Sequence, residues 1–160
     1  MKKRTKRYQR KRINPNAAFN AINLSKPVSD NAKSQLAIGI NVALDAFAKG
    51  YAQKNHFDTL ASTVDLAMML SNTLFDGAYM AEINLARDAM IRCRERFVET
   101  AKLRFDGEGY NAVKFAIQLH DEQLNHVTGA EVMQMMEKRA QHIRSGNYFK
   151  GRSEDLRVAA

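Results

Sequence analysis

The chain of 160 residues contains no tryptophan, one cysteine and two prolines. With Cys93 alone there is no internal disulfide, which suits a reducing compartment. Pro15 and Pro27 both lie near the start, so the sequence beyond Pro27 is free of the strongest helix breaker. Nowhere do about eighteen apolar residues run together, the length a membrane-spanning helix needs, so no membrane partner is expected. Period-two alternation and repeats are also lacking, which argues against strands and solenoids. The first twelve residues contain no acid at all.

What that opening does contain is Lys2, Lys3, Arg4, Lys6, Arg7, Arg10, Lys11 and Arg12. The whole chain holds 25 Lys+Arg against 17 Asp+Glu, a formal charge of +8, so residues 13–160 carry 17 of each sign. A basic tail on a neutral body reads as a tether rather than a groove. By charge alone such a tether suits nucleic-acid phosphates, an acidic protein surface or anionic lipid, and a plain solvated tail is the alternative. A secretion signal would need an apolar stretch next, but "INPNAAFNAINLSKP" is interrupted by Asn and Pro, so export is not expected and the protein reads as cytoplasmic.

The sequence is expected to divide into a basic arm and linker at 1–28, a helical domain at 29–146 and a tail at 147–160. The expected fold is all-α, five helices in a bundle-like single domain behind a disordered arm. Ser29 is a candidate N-cap for a first helix with Leu36, Ile40, Leu44, Phe47 and Tyr51 on one face, ending near Gly50. A second helix, about 56–74, is apolar around much of its circumference (Phe57, Leu60, Val64, Ala67 and Leu74, widened by Leu66, Met69 and Leu70) and belongs in the middle. "FDG" stops it. The third helix is expected from about Ala78 to Phe105, as the longest element, with Tyr79, Ile83, Ala86, Met90, Cys93, Phe97 and Thr100 as its buried seam. "DGEGY" reads as a break before a fourth helix from about Tyr110. A capping box at Thr128 and Glu131 opens a fifth, with Val132, Met136, Ala140 and Ile143 inward.

Enzymatic chemistry has little to stand on. The densest cluster of ionisable groups is "LHDEQLNH", but at 100° per residue His120 points about 120° away from His126, so one helix cannot bring both imidazoles to one ion. Glu-x-x-His, His-Glu-x-x-His, the dinucleotide and phosphate loops and Gly-x-Ser-x-Gly are missing. Cys93 on an apolar seam reads as a structural thiol. No enzyme, metal, cofactor or small-molecule substrate is expected. "VTGAE" with Gly129 suggests a helix-turn-helix, yet Asn125 and Lys138 fall where a small and a buried residue belong, so a helical hairpin is the plainer reading.

A candidate partner interface runs along the third helix, where Arg87, Ile91, Arg94, Val98 and Lys102 recur at three and four residues. If exposed, it mixes apolar anchors with arginine forks, the composition of protein and phosphate interfaces. If Ile91 and Val98 are buried, the arginine stems merely flank the core.

The arm "MKKRTKRY" together with "INVALDAFAKGYAQKNHFDTLASTVDLAMML" resembles small helical proteins encoded by bacterial phages and plasmids. That resemblance spans roughly residues 1–70 and implies a cytoplasmic accessory protein of a mobile element, a class of regulators, replication accessories and inhibitors of host defence complexes. It transfers no functional residue. The expected function is therefore a non-enzymatic nucleic-acid-associated protein, its arm on DNA, RNA or a nucleoprotein complex and its body available for protein contacts or a homodimer. The alternative is an anti-CRISPR-like inhibitor of a host nuclease or defence complex, without nucleic-acid binding of its own.

Overall fold

A computed structural model describes residues 24–145, and among these the chain is all-helical, with five helices and no strand. The basic arm and the tail beyond Ser145 lie outside the described residues. Helix α1 spans Asp30–Lys49. Ser29 Oγ accepts from the Ala32 N–H at 3.3 Å, filling one of the four donors a helix start leaves open. Gly50 closes α1 at φ 78°, a conformation that costs glycine nothing. Helix α2, Lys54–Leu74, ends at the expected "FDG", where Asp76 and Gly77 both take positive φ.

Helix α3 runs Met80–Thr100 and is shorter than the sequence suggests. Ala101 adopts φ 56° and turns the chain out of the helix. The reason is tertiary: Leu103 is buried, and Phe105 stacks on Phe47 with ring centroids 4.4 Å apart. A continuing helix would have carried both side chains past the core. At 21 residues α3 equals α2 in length rather than exceeding it.

Helix α4 covers Gly107–Gln123, so "DGEGY" opens the helix instead of breaking the chain. Asp106 Oδ1 accepts from the Gly109 N–H at 2.6 Å and acts as the N-cap. Glycine at 109 serves packing: a Cβ there would sit 2.7 Å from Asp106 Oδ1 and 2.9 Å from the Ala89 Cβ of α3. Helix α5, Gly129–Arg144, starts with the expected capping box, Glu131 N–H donating to Thr128 Oγ1 at 3.3 Å and Thr128 N–H to Glu131 Oε2 at 2.7 Å.

Helix α2 packs against every other helix, as its broad apolar circumference requires. The main core joins α1 to α4 through Ile40, Leu44, Leu60, Val64, Ile83 and Val113 among others. A smaller cluster of Leu70, Leu124, Val127 and Met135 seats the start of α5. The principal neighbour of α5 is α2, not α4, so α4 and α5 form neither a helix-turn-helix nor a simple hairpin.

Four buried faces differ from the sequence reading; on α2 the stripe is buried at Leu60, Val64 and Ala67, but Leu74 at its end is exposed. On α1, Leu36 is exposed and Tyr51, just past the helix end, is exposed as well, so the face is buried only from Ile40 to Phe47. On α3 the seam holds at Ile83, Ala86, Met90 and Cys93, but Tyr79, Phe97 and Thr100 at its two ends are exposed. On α5 the fully buried side chain is Met135, while Met136, Ala140 and Ile143 face outward. On α1 and α3 the exposed positions lie at the ends of the stripe.

Candidate functional site

The eight basic residues proposed to touch phosphate, Lys2 to Arg12, lie outside the described residues, but the root of their segment is defined. Val28 N–H donates to Val127 O at 3.3 Å and Gly129 N–H to Lys26 O at 3.1 Å, pairing Pro27 with Thr128 as an isolated antiparallel bridge. Leu24 lies over Gly129, where an added Cβ would meet its Cδ2 at 3.4 Å. The segment that leads to the arm is thus fixed to the start of α5, and the linker expected over 13–28 is engaged with the body from Leu24 onward.

The strip on α3 does not form one uniform surface. Arg87 is half-buried, its guanidinium 2.8 Å from Met68 Sδ on α2 and facing Asp65. Asp65 accepts from Arg139 Nε of α5 at 3.1 Å, so one carboxylate lies between arginines of α3 and α5. Burial pushes the Asp65 carboxyl above its ordinary value, with Arg139 and Arg87 holding it back. Burial also pushes Arg87 down, against the pull of Asp65 and Asp88. Arg87 therefore ties helices together. Ile91 is half-buried, and Lys102 falls beyond the left-handed Ala101, off the helix. Arg94 and Val98 remain as an exposed pair one turn apart, Val98 at 79% exposure.

At the start of α4, Arg92 Nε and Arg96 approach Asp106 at 3.4 and 3.8 Å, and Arg96 also donates to Arg104 O at 2.8 Å. The Gly109 N–H holds the Asp106 carboxyl below its ordinary value, and Arg92 and Arg96 add to the effect. These groups hold the 101–106 link against α3.

The histidines separate as helical geometry demands. His126 sits 3.1 Å from Glu122 Oε1 on the exposed face, while His120 is buried, with neither ring nitrogen hydrogen-bonded to a described residue. Its Nδ1 is 3.9 Å from Asp121 Oδ1, too far for a hydrogen bond. Cys93 is buried, and burial pushes its thiol up to about 11, away from the thiolate needed for reactivity. Among the described residues no group of three or more His, Cys, Asp or Glu could hold a metal, and no helix is long and apolar enough to cross a membrane.

Two features escaped the sequence. Gln123 is buried and donates to Ala67 O and Ser71 Oγ, both at 3.1 Å, while Ser71 donates to Ala78 O at 2.6 Å. Gln123 follows Ala116 by seven residues and His120 by three, which places it on their buried face and forms this polar lock between α2 and α4. The second is the exposed apolar face of α5, with Met133 at 55%, Met136 at 52% and Ile143 at 43% exposure. Its periodicity was visible, but the side of the helix that would be covered was not.

Compared with protein-family models, curated proteins and solved structures, the chain matches none.

Proposed function

We propose that the protein is a non-enzymatic nucleic-acid-associated accessory protein of a phage or mobile element, in which five helices form a bundle-like body and the basic arm contacts phosphate. The observation that carries this reading is the partition of charge: eight cations without an acid in the first twelve residues, against 17 of each sign in the rest. A body with balanced charge carries no comparable excess of cations, so affinity falls to the arm. The root at Leu24–Val28 supplies a fixed point from which that arm extends.

The deciding experiment is a salt titration of DNA and RNA binding by the full chain and by a chain lacking residues 2–12. If all eight cations meet phosphate, log affinity falls against log salt with a slope of about −7, and deletion flattens it. Equal affinities and slopes for the two chains would reject the arm as a nucleic-acid tether. A rival reading, inhibition of a host nuclease or defence complex by protein docking, draws support from the exposed Arg94 and Val98. It requires that Arg94→Glu abolish partner capture while leaving the salt slope untouched.

A further inference from the structure

Helix α5 is apolar on two sides. Val132 and Met135 turn toward α2 and Arg139 reaches Asp65, which accounts for its docking. Met133, Met136, Ala140 and Ile143 follow the three-four-three spacing of a coiled-coil seam, and all four are exposed. An exposed apolar row with this spacing has the shape another helix packs on.

We propose that this face pairs with the same face of a second copy of the chain, the two α5 helices running antiparallel about a two-fold axis beside Ala140. Charge selects this arrangement. Glu137 and Arg144 are seven residues apart, so they lie on the same flank of the seam, three residues before Ala140 and four after it. Neither makes a salt bridge to a described residue. Antiparallel pairing sets Glu137 against the partner's Arg144, and symmetry makes the contact twice. A parallel pair would instead set Glu137 against the partner's Val132 and Arg144 against the partner's Arg139, which Asp65 already engages, leaving Glu137 and Arg144 without an opposite charge. At the axis the small Ala140 lets the backbones approach, and Ile143 drops between the partner's Met136 and the partner's Ala140. The dimer does not depend on nucleic-acid binding.

The contact is short compared with the roughly 1,600 Å² of a standard interface, so the expected dimer is weak, with half-dissociation at about 10–100 µM. Sedimentation equilibrium of the full chain across that range measures it. Met136→Glu and Ile143→Glu should each weaken association at least about tenfold, since each places a charge in the seam without removing a core side chain. Glu137→Arg alone should weaken it, and Glu137→Arg combined with Arg144→Glu should restore it, because the swap regenerates both ion pairs. Ala140→Cys should form an intermolecular disulfide under oxidation, with the buried Cys93 not competing. Circular dichroism confirms that each variant stays folded. A chain that remains monomeric at the highest concentration, a dimer indifferent to Met136→Glu, or a double swap that fails to restore association each overturns the proposal.

Discussion

The two hydrophobic clusters of this molecule hold their helices in different ways. The main cluster draws on α1, α2, α3 and α4 together, with Ile83, Leu60 and Val113 wholly excluded from water. The smaller one holds α5 by a single wholly buried side chain of its own, Met135, supported by the Arg139–Asp65 ion pair and the capping box. The contrast teaches that one chain of apparently uniform helical pattern contains two levels of stability. A helix can read as strongly amphipathic and still be the element most easily released.

Several substitutions would break or sharpen that contrast. The largest effect is expected for Ile83→Ala, which opens a cavity in the main cluster and should cost about 3 kcal/mol of unfolding free energy with the cooperative transition kept, as read by urea denaturation. Met135→Ala should cost about 2 kcal/mol, but locally. Hydrogen exchange should accelerate in α5 while α2 and α4 keep their protection, and uniform acceleration would erase the distinction between the clusters. Thr128→Ala removes the acceptor of the capping box and should cost about 1 kcal/mol, confined to the first turn of α5.

The smallest effect is a pH dependence. Because the folded-state value of Asp106 is lowered by the Gly109 N–H, its contribution is present above the ordinary carboxylate range, about 4, and is lost as pH falls through the folded value. The start of α4 should therefore fray below about pH 4. Asp106→Asn, which retains a capping oxygen, should remove that dependence, as followed by amide chemical shifts at Gly109 and Tyr110.

Signals in the sequence that act over a few residues were legible. Ser29, Gly50, the "FDG" stop and the Thr128–Glu131 box each need only their near neighbours to work, and each functions as read. The inward position of His120 and Cys93 was legible too, because both lie near the middle of well-covered stripes. The end of α3 was not, since Leu103 and Phe105 leave the helical pattern in response to Phe47, more than fifty residues away in sequence. Nor was the docked face of α5 legible. Met135 and Met136 are equally apolar, and the choice between them rests on Asp65 and on the pocket built by Leu70 and Leu124. Of the candidate interface, spacing alone identified a helical strip but could not tell that Arg87 faces a half-buried carboxylate while Val98 faces water.

The bridge between Pro27 and Thr128 has a mechanical consequence. Tension applied to the chain ahead of Leu24 enters the body through two hydrogen bonds, Val28 to Val127 and Gly129 to Lys26, and through the contact of Leu24 with Gly129. Each such bond contributes on the order of 1 kcal/mol, far less than the packing behind it. A pull on this end is thus borne first by the start of α5, the more weakly held helix, and only once the bridge has yielded does the load pass through Ser29 into α1 and the four-helix core.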